Sequence, residues 1–541
     1  MDRKFLIFAL VLIALGAAFG GLFGRLSTSS ASNDITKAAI ISDYREALEV
    51  IDKNYGGPVD HEKISDTSIQ STLWSLDPHS AFFTREAFRK LNEEQASQFF
   101  GIGVSILQRR DGVYVQSVVP NTPADKAGLR YGDRFLQVDG KDATEWSSGE
   151  VSRNVRGPRG STVRIRIDRA ASETPIDFEI VRGGVPLPSI RNFFMLPEGV
   201  GYIGLVGGFQ ETTSAELDDA VASLKRQGMK SLILDVRNNP GGLLPQAVEV
   251  VSRFIATGQT VVSVKGRSRY AVTEEMKASG GAKYDLPLVV MINNGSASAS
   301  EIVAGAIQDH ARGLVVGMES FGKGLVQRVF PLPYGTGLTL TTARYYTPYG
   351  RSLQRDYSNG SIYEYYSHSN NGNDQGVELQ PIGDPVITAN GRVFYGGRGI
   401  VPDIAVKPSD NGTVRFRINE AAFFFVRQLV AGKISGLESY RVEKQDFRQS
   451  IAPGSVQIND RIFEAFRAFT MNDPLSGLNS ENLVGAADHA RLRLREELAT
   501  AMHSNEAGIQ VLLESDPQIL KALQSMPEAA KLAPSSIAMK H

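Results

Sequence analysis

The stretch Leu288-Val-Val-Met-Ile-Asn-Asn-Gly-Ser-Ala-Ser-Ala-Ser-Glu-Ile-Val-Ala-Gly-Ala-Ile-Gln-Asp-His310 decides the fold class. Its first residues, Leu288 to Ile292, form an uninterrupted apolar run bounded by turn residues and read as a buried strand. A polar Asn/Gly/Ser loop follows, and helical periodicity takes over from about Ala299 to His310. The same alternation appears upstream. Val200 to Val206 is strand-like, Ser214 to Arg226 is helical with Leu217, Val221 and Leu224 on one side, and Ser231 to Val236 is a second buried strand. Strands alternating with helices imply a mostly parallel or mixed sheet covered on its faces.

Toward the N-terminus the period changes from helix to strand. Ile41, Tyr44, Leu48, Ile51 and Tyr55 recur at three or four residues, so 35–55 is an amphipathic helix, and Ile69, Leu73 and Leu76 mark a shorter one ended by Asp77 and Pro78. From Phe99, the apolar Ile102, Val104 and Ile106 alternate with smaller or polar residues. Val113, Val115 and Val118 follow an Asp111-Gly112 turn. Pro123 to Ala127 reads as a short helix stopped by Gly128, with a turn at Gly132 and Asp133 before the next strand. With Gly101-Ile-Gly-Val104, this pattern resembles a PDZ domain over about Gln98 to Gly183. The resemblance implies capture of a peptide's terminal carboxylate, with Phe100, Gly101, Ile102, Gly103 and Val104 as the binding segment and the peptide lying as an added strand.

At the outer ends, Asp2, Arg3 and Lys4 precede an apolar run from Phe5 to Phe23, which nearly spans a bilayer. Ser29, Ser30 and Ala31 offer a cleavage site. The expectation is export to the cell envelope or periplasm, with a retained inner-membrane anchor favoured over cleavage. Tyr357 to Gly376 has no useful periodicity and reads as an exposed excursion, and beyond Asp410 helical patterns dominate. Those late helices have apolar faces for the core or for a second subunit. A formal net charge of -1, from 58 Lys plus Arg against 59 Asp plus Glu, supplies no field for a phosphate backbone, so nucleic acid is not an expected partner. With no cysteine, any nucleophile is oxygen.

Asp235-Val-Arg-Asn-Asn-Pro-Gly-Gly242, Asn293 to Glu301 and Ser320-Phe-Gly-Lys-Gly324 each follow a strand, where sheets of this class carry their sites. Ser298 has capping-box spacing to Glu301. The same placement aims helix-end N–H groups at an approaching oxyanion. Ser296 and Ser300 are rival nucleophiles. If Lys323 to Phe330 is a strand, Lys323, Leu325 and Gln327 share a face, so the Gln327 amide can orient the amine. A neutral, desolvated lysine can deprotonate a serine.

These loops, in this order, together with Leu76-Asp-Pro-His-Ser80 and Gly399-Ile-Val-Pro-Asp403, closely resemble the carboxyl-terminal processing peptidases, or tail-specific proteases, a serine/lysine-dyad family; the likeness runs from about Ile35 to Val406. It implies Ser298 as nucleophile, Lys323 as general base and Gln327 as the residue orienting the lysine. It also implies an oxyanion hole from the backbone N–H of Ala299 and of Gly241 or Gly242, and neither a metal nor an organic cofactor. The expected chain is an α/β and β multidomain protein. A signal sequence or anchor occupies 1–30, an N-terminal helical region 31–97 and an inserted PDZ-like domain 98–183. A mixed α/β serine/lysine protease core follows at 184–409, and a C-terminal helical extension at 410–541. The implied partners are proteins or peptides with exposed C-terminal tails, the membrane through an uncleaved N-terminus, and a second copy through the C-terminal helices.

Three other readings compete. Gly317 to Gly324 approaches a phosphate-binding loop, but Gly324 stands where Ser or Thr is required, and a strand rather than a helix follows. A noncatalytic tail-binding adaptor would lack turnover. His79 or His310 with Asp235 would supply a serine triad only if the fold brought them to Ser298.

Overall fold

Thr162–Asp168 is the simplest local case. In the computed structural model, Val163, Ile165 and Ile167 point into a core while Thr162, Arg164 and Arg166 face solvent, as a pleated backbone of period two requires. The structure describes residues 36–267, 274–358, 365–366, 384–388, 391–409, 412–448, 450–452 and 454–534. The expected leader or anchor at 1–30 lies outside the described residues, as does most of the Tyr357–Gly376 excursion. The chain divides into two units, Met1–Ile69 and Gln70–His541.

In the first unit, Thr36 Oγ1 accepts the Ala39 N–H at 3.3 Å and starts the helix Lys37–Asn54. The expected apolar stripe is present, but no residue of this helix is buried, and Ile41, Tyr44 and Ile51 are exposed.

The second unit contains an antiparallel sheet ordered Val104–Arg109, Gly112–Val118, Arg134–Val138, Thr162–Asp168, Ile176–Val181. Helix Pro123–Ala127 ends at Gly128, whose φ of 87° is the left-handed conformation glycine adopts without a Cβ clash. Helix Ser148–Val155 starts from a reciprocal capping box between Ser147 and Glu150 and buries Val151 and Val155 against Ile102, Phe135 and Val163. A two-stranded ribbon, Gln98–Gly101 antiparallel to Gly183–Pro186, brings the chain in and out of this sheet.

A six-stranded sheet follows, ordered Ile190–Leu196, Val200–Leu205, Ser231–Asp235, Leu288–Ile292, Leu314–Gly317, Ile404–Ala405. Its first pair is antiparallel and the others are parallel. Every residue of Ser231–Asp235 and Leu288–Ile292 is buried, which accounts for their unbroken apolar runs. On one face Leu232, Leu234, Val290 and Ile292 pack under helices Thr213–Arg226, Leu244–Ser252 and Ala299–Asp309. On the other, Ile233, Val289 and Met291 meet Ile519, Ala522, Met526 and Ala529 of the C-terminal helices Pro517–Gln524 and Met526–Ala530. Late helices therefore complete the sheet sandwich within the chain.

The Leu325–Pro331 strand pairs antiparallel with Gly337–Tyr346, which also pairs with Thr260–Lys265 and Ala81–Phe83. Here the sequence expectation needs correction. The strand starts at Leu325 rather than Lys323, and a register shift between Val326 and Gln327 breaks the alternation on which a shared face for Lys323, Leu325 and Gln327 depended.

Helix Thr413–Val430 clamps the PDZ-like sheet. The Phe423 ring is edge-on to Tyr114 at 5.1 Å and tilted against Tyr131 at 5.5 Å, and the Arg109 guanidinium lies 4.3 Å over it. Arg427 Nε donates to Gly132 O at 2.7 Å, and its Nη2 donates to Asp168 Oδ2 at 2.6 Å. Tyr131 donates to Glu497 of helix Ala487–Met502 at 2.7 Å. Truncating the fully buried Phe423 to alanine removes this contact, and the cost expected of a buried aromatic is about 3–5 kcal/mol. Thermal unfolding of Phe423→Ala should fall accordingly, with faster hydrogen exchange in Gly112–Val118; a variant that melts like wild type would show that the clamp is not holding the domain.

Candidate active site

Three adjacent parallel strands, Ser231–Asp235, Leu288–Ile292 and Leu314–Gly317, present the same ends to one side, so the three loops singled out in the sequence converge there. The serine loop is pinned from below. Ser296 Oγ donates to Val236 O at 2.7 Å, and Ser300 Oγ donates to Asn239 O at 2.9 Å. Both rival serines are fully buried and committed to carbonyls of the neighbouring loop, whereas Ser298 is half-buried at the mouth of the site. Ser298 sits at φ 56°, ψ −114°, a conformation that costs a residue with a Cβ on the order of 1–3 kcal/mol.

The capping relation read from Ser298 to Glu301 is present, and it reaches further than a helix end. Glu301 is wholly buried, and its carboxylate accepts four hydrogen bonds. Oε2 takes the N–H groups of Ser298 and Lys323, each at 2.8 Å. Oε1 takes the Ser320 hydroxyl at 2.6 Å and the Gly322 N–H at 2.7 Å. Burial pushes this carboxyl above the usual glutamate range while the donors pull it back. Sequence reasoning assigned Glu301 only a cap, because its other partners lie on a later loop and no local spacing announces them. The same contacts count against the phosphate-loop reading: amides of Gly322 and Lys323 that would cradle a phosphate already hold a carboxylate.

Lys323 Nζ donates to Gln327 Oε1 at 2.9 Å. Gln327 Nε2 in turn donates to the His79 carbonyl, so the amide is oriented from both ends. The sequence pairing of Lys323 with Gln327 is realised, although across a bulge. His79 is delivered by a turn built on Asp77, whose Oδ1 accepts the N–H groups of His79 and Ser80, both at 2.8 Å, and whose Oδ2 accepts the Ser80 hydroxyl at 2.7 Å. Burial holds the Lys323 ammonium below the ordinary lysine value, against the opposing charges of Glu301 and Asp77. Burial first, and Lys323 second, lower His79 to about 4. Its neutral ring lies edge-on to Tyr365 at 5.3 Å, with Nε2 2.8 Å from the Tyr365 hydroxyl.

No triad assembles among the described residues. Asp235 is bonded to Tyr202 at 3.0 Å and to Arg237 at 2.7 Å. Arg237 continues to Asp516 and Gln518, both at 2.7 Å, fastening a C-terminal helix to the sheet. His310 Nε2 lies 2.7 Å from Thr260 O.

Gly241 and Gly242 are required for different reasons. A Cβ at Gly241 would stand 2.7 Å from Ser298 Cβ and 3.0 Å from Ala299 N, closing the space before the serine. At Gly242 it would strike the Phe209 backbone at 2.2 Å. The Gly241 N–H is spent on Asn239 Oδ1 at 2.9 Å. The N–H groups of Gly242 and Ala299 carry no hydrogen bond among the described residues.

In the PDZ-like sheet, a cleft opens between the edge strand Val104–Arg109 and helix Ser148–Val155, lined by Gly101, Ile102, Gly103, Val104, Val151 and Val155 among others. The carbonyls of Ile102 and Gly103 accept from Ala124 at 2.8 Å and Val119 at 2.9 Å, while the N–H groups of the same two residues are unbonded among the described residues. Phe100 lines a separate cleft with Phe88 and Arg89, while Phe99 lines the cleft beside Gly101–Val104, because the pairing of Gln98–Gly101 with Gly183–Pro186 fixes which side each ring faces.

A model for peptidase family S41 matches residues 199–360, and a PDZ domain model matches residues 114–169. The carboxy-terminal-processing protease of Bartonella bacilliformis is 34% identical over 358 residues, covering 65% of this chain and 81% of that protein. The carboxy-terminal processing protease CtpA of Bacillus subtilis is 32% identical over 362 residues, with 66% and 76% covered. Among solved structures, a photosystem II D1 C-terminal processing protease is 27% identical, with 67% of this chain and 86% of that chain covered and a TM-score of 0.35. The chain thus belongs to peptidase family S41, as a C-terminal processing protease with a PDZ domain.

Proposed function

We propose that this protein is an extracytoplasmic serine endopeptidase that captures protein C-terminal tails in its PDZ cleft and cleaves near them with a Ser298/Lys323 dyad. The observation that carries the reading is the Glu301 carboxylate, which bonds the backbone of Ser298 and of Lys323 through one oxygen. Ser298 Oγ attacks the scissile carbonyl as the uncharged Lys323 amine takes its proton. The carbonyl oxygen gains charge and is met by the N–H groups of Ala299 and Gly242 at the positive end of the helix Ala299–Asp309. Lys323 returns the proton to the departing amine, and water then releases the acyl group from Ser298. Gln327 keeps the amine aimed. The tail pairs with the free edge of Val104–Arg109, its carboxylate on the N–H groups of Ile102 and Gly103.

Envelope localisation and an inner-membrane anchor rest on the Phe5–Phe23 run alone. Self-association through the C-terminal extension would draw on what remains exposed there, such as Leu475 and Val484, since its main apolar faces are covered by this chain.

Purified protein incubated with an unstructured peptide, followed by sequencing of the fragments, tests the reading. Wild type should yield product, and Ser298→Ala or Lys323→Ala should lower kcat/KM by about 10³-fold or more while binding the tail normally. Tail binding without turnover in all three would leave the adaptor reading standing. The active form of Lys323 is the free amine, which burial favours, so kcat/KM should rise with pH through a midpoint below 10.5 and then level off. A flat profile with chemistry rate-limiting counts against Lys323 as base.

Ser298→Gly relieves the positive φ and should be more stable than Ser298→Ala by about 1 kcal/mol in denaturant titration, with both inactive. Glu301→Gln places donors where four donors already point. It should lose about 1–3 kcal/mol of stability and most activity, and a variant that cleaves at the wild-type rate removes Glu301 from the account.

A further inference from the structure

Tyr345 lies at the end of the Gly337–Tyr346 strand, and its backbone is tied to the lysine loop. Its N–H donates to Gly324 O at 2.9 Å, one residue beyond Lys323, and the preceding Arg344 pairs with Leu325. Tyr345 faces Val264 across the sheet. Its side chain enters the same core cluster as Ala299 and Ile302, which flank the serine turn. Only 2% of the residue is exposed, and its hydroxyl is buried without a hydrogen-bond partner. Interiors rarely leave such a group unpaired. The Ser298 hydroxyl lies close enough to act on the phenol as a hydrogen-bonding group, although no bond of ordinary geometry forms.

We propose that Tyr345 is a positioning residue for the nucleophile, its hydroxyl donating a hydrogen bond to Ser298 Oγ as the serine turns toward a bound peptide. The inference rests on the Ser298/Lys323 reading. The N–H groups of Ala299 and Gly242 serve the carbonyl oxygen of the substrate, not the attacking oxygen. When Lys323 removes the Ser298 proton, charge collects on Oγ, and a donor held in a dry pocket stabilises it there. In the acyl-enzyme Oγ is a weakly basic ester oxygen and the bond slackens. On deacylation the charge returns to Oγ and the donor acts again before Lys323 gives the proton back. Tyr345 keeps its own proton throughout. Burial and the charge of Glu301 push the phenol well above its ordinary range, against the Ser298 hydroxyl, which lowers it, so the protonated donor is the favoured form.

Tyr345→Phe removes only the oxygen. The expected result is a fall in kcat of about 10- to 100-fold with KM within about two-fold, and a matching fall in the rate at which a small fluorophosphonate labels Ser298. The pH midpoint of kcat/KM should stay in place, because Lys323 is still the base. The thermal midpoint should hold or rise, since an unpaired buried hydroxyl has gone. Wild-type kcat and labelling rate in Tyr345→Phe overturn the proposal, as does an activity loss that merely follows a lower melting temperature. Ser298→Ala run alongside separates the two levels: if it still cleaves, the dyad reading fails, whereas an inactive Ser298→Ala beside a fully active Tyr345→Phe removes Tyr345 alone.

Discussion

A single buried carboxylate holds the site together. Glu301 sits in the first turn of its helix and gathers donors from the serine turn behind it and from the Ser320–Lys323 loop of the next strand. A charged group removed from water is tolerated only when its lone pairs are filled, and here four donors fill them. The requirement works in both directions. The carboxylate needs those amides, and the amides bring two segments of chain, 25 residues apart at Ser298 and Lys323, to fixed positions. Helix geometry, loop placement and the environment of the amine all follow from satisfying this group.

Around that centre the scaffold divides its tasks. The parallel strands set the three loops side by side, and their fully buried residues demand cover on both faces. One cover is a layer of three helices that includes the one carrying Ser298 on its N-terminal side; the other comes from the far end of the chain, fastened by Arg237 to Asp516 and Gln518. Asp235 and Arg237 thereby act as structural fasteners. The PDZ domain is held by an aromatic and guanidinium contact centred on Phe423, so its cleft and the Ser298 loop belong to one packed unit rather than to beads on a string.

Much of the secondary structure was legible because the burial pattern imposes its period on the residues. Leu288–Ile292 is buried on both faces and reads as a solid apolar run, and Val163, Ile165 and Ile167 alternate because only one face of their strand meets a core. Legibility ended where a contact joins distant segments. The side faced by Phe99 or Phe100 depends on pairing with Gly183–Pro186. The bulge after Val326 depends on register with Gly337–Tyr346. The apolar faces of the late helices announce that something covers them, not what does.

By itself the sequence determined the order of strands and helices, the absence of thiol chemistry and the three loops able to carry a reaction, since each is written in composition or in a short-range period. It also carried motifs whose resemblance names Ser298, Lys323 and Gln327. Only the tertiary structure distinguished the serines by environment, burying Ser296 and Ser300 against carbonyls of another loop, and the glycines, by spending the Gly241 amide on Asn239. It alone revealed Glu301 as the link between serine and lysine. The physical reason is that hydrogen-bond partners far apart along the chain leave no periodic trace, and their identity is fixed when the strands have paired and the donors are within about 3 Å.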